Sequence, residues 1–204
     1  MKIHGVYMQA LCATTIGCNE NISLKQSSAP VVINNERTGP SGLATASLFN
    51  SAIGNIDNII DADPLNYTTI TGNVSAGTAT SISVWNPIQT YPAGSNAGYV
   101  VEVGPSLLTL GLLDFITIIT YNNGVEQERS TDANLLDVDV LTLNLLGAPS
   151  TARFVGFRTS KPYEEIVIRM AGLLNAGLDI DGTKIYGAYV NTNGVQFLNG
   201  NLCS

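Results

Sequence analysis

The chain is short of charge, of histidine, of cysteine and of long apolar runs, and each shortage closes off a class of function. Charged residues fill only 12% of the 204 positions, about half the usual quarter. With 9 Lys+Arg against 16 Asp+Glu the net charge is -7, and the five arginines, Arg37, Arg129, Arg153, Arg158 and Arg169, form no run. A phosphate backbone is gripped by clustered cations that release its counterions, so nucleic acid is excluded as a partner. The longest apolar stretch, 107–119, is broken by Thr109 and Asp114 and falls short of the roughly 20 residues that a membrane helix needs. No membrane span is expected.

His4 is the single histidine, so a nucleophilic triad would have one possible imidazole base. It stands in a strand-like segment whose counterpart near the C-terminus carries Tyr186, and a packing or surface place is expected for it. Carboxylate pairs of the glycosidase kind, drawn from Glu102, Asp137, Asp139, Glu164 and Glu165, would have to meet in space. Asp137 and Asp139 alternate with Leu136, Val138 and Val140, the pattern of a strand with one wet face. No catalysis is expected. Cys12, Cys18 and Cys203 lack Cys-x-x-Cys spacing and do not assemble a zinc site with His4. In an oxidising compartment, a bridge between Cys12 and Cys18 and a bridge from either one to Cys203 both remain open. Lys2 could start a signal peptide, but His4, Gly5, Tyr7 and Gln9 interrupt the apolar core such a peptide requires. An export signal, if the protein has one, would lie outside this chain.

What is present is a succession of short β-branched segments. Residues 67–70, 79–85, 98–103, 115–121, 135–146, 152–159, 164–170 and 183–190 read as strands. Asn123-Gly124 joins 115–121 to 125–129 as a hairpin. Helical period is weak, the best stretches being Gly42 to Ile53 and Ala171 to Gly177. Many short strands with polar turns and no βαβ rhythm predict an all-β antiparallel sandwich. Residues 1–41 differ in texture and end in the turn-rich Arg37-Thr-Gly-Pro-Ser-Gly42, so they read as an arm or connector. The sandwich is expected over 42–191, with a C-terminal connector over 192–204.

The two ends nearly repeat each other: Lys2-Ile-His-Gly-Val-Tyr-Met8 and Lys184-Ile-Tyr-Gly-Ala-Tyr-Val190. An offset of one domain plus a connector suggests one period of a tandem array, or a leading strand lent to a neighbouring copy.

The segment Asn58-Ile-Ile-Asp61-Ala-Asp63-Pro64-Leu-Asn-Tyr67-Thr68-Thr69 resembles the opening signature of discoidin-like, galactose-binding-fold domains, with Ala62 in place of the usual Gly. Lys184-Ile-Tyr-Gly187 looks like that family's closing strand. The intervening order of motifs is similar to tandem modules of large secreted Bacteroidetes surface adhesins, over roughly 45–190. The resemblance implies a jelly-roll sandwich and a structural Ca²⁺ held by Asp63 and Thr68, with Asp61 and Asp57 behind them. Two carboxylates, a hydroxyl and freed carbonyls do suit that ion, while the same aspartates could simply cap turns through Asx hydrogen bonds. Asp179-Ile-Asp181-Gly182 is expected to be a hairpin turn with Gly182 at positive φ.

Sugar binding stacks a ring on an exposed aromatic and clamps hydroxyls with polar groups. Trp85, Tyr91, Tyr99, Arg158 and Tyr163 are the candidates, with Trp85 equally able to close the core. The expectation is therefore a non-catalytic extracellular or cell-surface module that adheres or repeats end to end. The alternative is a calcium-dependent carbohydrate-binding module. Expected partners are copies of itself, neighbouring repeats or surface glycans.

Overall fold

The computed structural model describes residues 21–25, 31–42, 51–74, 77–103, 115–130, 134–139, 152–172 and 178–192. In chain order the strands are β1 (Asn21–Ser23), β2 (Val32–Ile33), β3 (Gly39–Gly42), β4 (Ala52–Gly54), β5 (Thr68–Thr71), β6 (Asn73–Val74), β7 (Thr78–Trp85), β8 (Asn96–Glu102), β9 (Ile116–Asn122), β10 (Val125–Arg129), β11 (Leu136–Asp139), β12 (Arg153–Arg158), β13 (Glu165–Ala171), β14 (Leu178–Asp179) and β15 (Thr183–Asn191). One 3₁₀ turn, Ile56–Ile59, is present among the described residues.

Strands this short cannot each bury a face alone, and they pack as two antiparallel sheets, the all-β sandwich that the segment pattern predicts. The first sheet runs β11-β12-β8-β15-β5-β4, with β1 also on β15; the second runs β10-β9-β13-β7-β2, with β3 also on β7. Strand β13 shows how sequence becomes layer. Ile166, Ile168 and Met170 alternate into the core, where they stand opposite Val84, Ile82 and Thr80 of β7 and Thr120, Ile118 and Ile116 of β9. From the first sheet, Ala97, Tyr99, Val101, Val155, Phe157, Ile185, Ala188 and Val190 complete the same cluster. Glu165, Val167 and Arg169 take the opposite face, as a period of two requires.

The boundary expected at residue 42 is wrong. β1 pairs with Tyr189–Asn191 on the same edge of β15 whose other half, Thr183–Ile185, takes β5. β2 pairs with Val84 and Trp85, and β3 with Thr78–Ser81, so together they cover the outer edge of β7. Leu24 is fully buried in the core. The segment reads as an arm because its strands are too short to show a period. Burying Leu24 alone is worth about 2 kcal/mol, so the described residues of 21–42 belong to the sandwich.

Two smaller expectations also change. The turn at Asp181-Gly182 has Gly182 at φ 76 as expected, but it does not close a hairpin: β14 pairs with β6, and β15 with β5 and β8. Of the weakly helical stretches, 52–54 is strand β4 and Ala171 ends β13; residues 43–50 and 173–177 lie outside the described residues. So do Lys2 to Met8, including His4, and Cys12, Cys18 and Cys203.

The motif Lys184-Ile-Tyr-Gly187 occupies a bulge at the middle of the first sheet. The register of β15 against β8 shifts between Ile185 and Gly187, which re-aims Tyr186. Its hydroxyl donates to Glu102 Oε2 at 2.7 Å, and Lys184 Nζ lies 3.3 Å from the same oxygen. Gly187 is required by the close approach of a neighbour: a Cβ there would stand 2.8 Å from Cγ of Lys25.

Candidate functional site

On the outer face of the second sheet, Trp85, Glu165 and Tyr121 stand in one row across β7, β13 and β9. The segment between β2 and β3 crosses this face. Its Arg37 places the guanidinium 4.2 Å from the centroid of the Tyr121 ring and donates through Nη2 to the Gly124 carbonyl at 2.9 Å. Through Nη1 it pairs with Glu165 Oε2 at 3.2 Å. The Glu165 carboxylate is buried and also accepts from Asn34 Nδ2 at 2.9 Å and from the Ser83 hydroxyl. These partners satisfy the buried carboxylate, so Glu165 and Arg37 form a fixed polar floor.

Beside that floor lies a cavity of about 630 Å³, walled by residues 32–37, Trp85, Pro87, Asn123-Gly124 and Glu164-Glu165. The hairpin wall is set by local chemistry: Asn123 (φ 50) and Gly124 (φ 74) both adopt positive φ, as a two-residue turn matched to strand twist demands. The Asn123 amide donates to Glu164 Oε1 at 2.8 Å, fixing that carboxylate against the turn. Trp85 is half-buried, and its indole N–H is buried with no acceptor.

Of the five sugar candidates, Trp85 alone lines this cavity. Tyr91, Tyr99 and Tyr163 are core residues, each at most 1% exposed, and a ring enclosed on both faces has no surface to offer a ligand. Tyr99 ties the two sheets together, donating its hydroxyl to the Ile166 carbonyl at 2.7 Å. Tyr91 and Tyr163 form a mutual backbone bridge with ring centroids 5.4 Å apart, and their hydroxyls meet Asn86 and Ser95. Burial raises the pKa of all three phenols. Arg158 is exposed at the end of β12, in the other sheet. Asn34 and Arg37, which line this cavity, carry no signal in the sequence, and Glu165 entered there only among the carboxylates that would have to pair. The first two lie in a segment with no strand period, and Glu165 reads in sequence as an ordinary wet-face position.

The Asp61–Thr69 loop holds a cation, but the cation belongs to the chain. The ammonium of Lys25, whose side chain is fully buried, lies 3.4 Å from Asp61 Oδ1 and donates to the Asn66 carbonyl at 2.5 Å. Asp61 accepts further from the Asp63 amide and from Asn66 Nδ2, and Asp63 Oδ1 accepts from the Leu65 amide. Thr68 is turned the other way, donating to the Asn55 carbonyl at 3.1 Å, and Asp57 is exposed on the 3₁₀ turn. The four residues expected around calcium therefore do not converge. Among the described residues no group of three or more His, Cys, Asp or Glu could hold a metal ion. Burial lowers the pKa of Lys25, and Asp61 pulls it back up.

No protein-family model and no curated protein matches the chain. Among solved structures it is similar to the family 32 carbohydrate-binding module from C. perfringens NanJ in complex with galactose. The identity is 14%, the match covers 84% of this chain and 98% of that one, and the TM-score is 0.39. The two-sheet architecture described above rests on this chain's own strand pairing.

Proposed function

We propose that the protein is a non-catalytic module of the extracellular or cell-surface kind that binds saccharide in the Trp85 cavity, without calcium. The observation that carries this reading is the half-buried Trp85 ring lining a cavity beside a fixed polar network. Sugars offer apolar C–H faces for such a ring and hydroxyls for such a polar rim. Asn34, Asn35 and Asn123 add amides to the rim. Glu165 is held in an ion pair with Arg37, an arrangement suited to fixing the floor of a binding site rather than to moving a proton. A weakly charged, Asn- and Thr-rich surface supports the external location, and adhesion to surface glycans is the use that follows.

The test is a glycan array followed by titration calorimetry on the hits. Binding is expected, and Trp85→Ala should weaken it by about tenfold or more, the scale of a lost aromatic contact, while the Tm stays within a few degrees. Silence across the array, together with self-association of the chain, would favour the end-to-end structural role instead.

A further inference from the structure

Resting on that reading, we infer that the Trp85 cavity prefers saccharides bearing a free amine and discriminates against acidic ones. The chain shows the preference of this face with its own side chain. Where Arg37 crosses the sheet, a cation lies against an aromatic ring and pairs with a carboxylate: Tyr121 at 4.2 Å and Glu165 at 3.2 Å. The cavity beside it has the same ingredients, namely the Trp85 ring and the carboxylates of Glu36 and Glu164.

The charge balance decides the sign. Among the described residues that line the cavity, Arg37 is the single cationic side chain, against Glu36, Glu164 and Glu165. Arg37 is engaged on three sides, by Glu165, the Gly124 carbonyl and the Tyr121 ring, so it offers no free fork to a ligand carboxylate. Among the described residues Glu36 and Glu164 form no ion pair, and Glu164 accepts the Asn123 amide on one oxygen. An ammonium placed among them gains Coulomb energy and contact with the indole face. A sialic or uronic acid carboxylate meets like charge, which costs a comparable amount.

The experiment is calorimetry of the full chain with three matched probes: an oligomer of glucosamine, the same oligomer of N-acetylglucosamine, and an oligomer of galacturonic acid. The amine form is expected to bind about tenfold more tightly than the acetylated form, as an interaction of roughly 1.4 kcal/mol implies. The acidic form should not bind measurably. Because the partners face solvent, raising the salt should shrink the preference. Glu36→Gln with Glu164→Gln should bring the affinities for the amine and acetylated oligomers together, read as their ratio whatever happens to either affinity alone. Equal binding of the amine and acetylated forms, or tighter binding of the acid, would overturn this inference and leave the saccharide reading standing. Binding of lysine-rich peptide with no response to any saccharide would overturn both.

Discussion

At the scale of single residues, Lys25 places an ammonium, tethered by its own stem, beside the Asp61 carboxylate. The stem lies across Gly187 and the charge reaches Asp61 and the Asn66 carbonyl. The loop thereby gains a cation whose presence does not depend on solution calcium. The expected outcome is a Tm unchanged by calcium or chelator. Lys25→Ala should cost about 2 kcal/mol, less than the 3–5 kcal/mol of a fully buried broken pair because Asp61 keeps partial access to water; denaturant unfolding measures it. A chelator-induced drop in Tm would return the loop to the calcium reading.

At the scale of elements, the first sheet depends on one pair of facing glycines. Gly98 of β8 and Gly156 of β12 are register partners, and the Phe154 ring lies against both. A Cβ on Gly98 would stand 2.3 Å from the Val155 carbonyl oxygen and 2.7 Å from Cζ of Phe154. The backbone cannot yield there, so Gly98→Ala is expected to destabilise by more than about 3 kcal/mol, in the range reserved for core overpacking. Gly124→Ala, with no atom within 4 Å of the added Cβ and a φ of 74, should cost only about 1 kcal/mol through backbone strain. Comparing the two urea midpoints checks both. The outer edge of the second sheet is blunted as well: β10 carries a register shift between Glu126 and Glu128 and the Arg129–Glu126 ion pair at 2.8 Å. Such features discourage edge-to-edge pairing, which weakens the case for assembly through that strand.

At the scale of the whole molecule, the sandwich is closed by the segment that looked like a connector. A chain beginning at residue 43 would lose β1, β2 and β3, together with the buried Leu24, Lys25 and the Arg37 partner of Glu165. It is expected to lose cooperative unfolding and near-ultraviolet circular dichroism; a sharp thermal transition in that truncation would restore the boundary at 42. The buried tyrosines set the alkaline limit. Tyr91, Tyr99, Tyr163, Tyr186 and Tyr189 all have raised pKa values, burial being the first cause in each and Glu102 adding to it at Tyr186. Above about pH 10 the unfolded chain ionises its phenols while the folded chain holds the protons. The native state then binds more protons, so stability is full below that pH and falls as pH rises. Lys25, with a lowered pKa, acts in the opposite direction, but it is one group against five. Urea midpoints taken at about pH 8 and about pH 11 should show the loss.

Local residue patterns carry the fold class and most of the long strands. Segments such as 79–85, 115–121 and 164–170 carry their period of two and β-branched content locally, and Asn123-Gly124 names its own turn. Trp85 was named from sequence as either a core or a ligand-facing aromatic, and the structure places it half-buried on the cavity wall. The place of residues 21–42 depends on packing, since strands of two to four residues carry no period and acquire meaning only from the edges of β7 and β15. Packing also separates the aromatics: Tyr91, Tyr99 and Tyr163 look like Trp85 in sequence, but their rings are enclosed in the core while Trp85 lines the cavity. The cation at Asp61 comes from Lys25, 36 positions earlier. A contact between residues that far apart depends on how two elements pack, and no local pattern of residues records it.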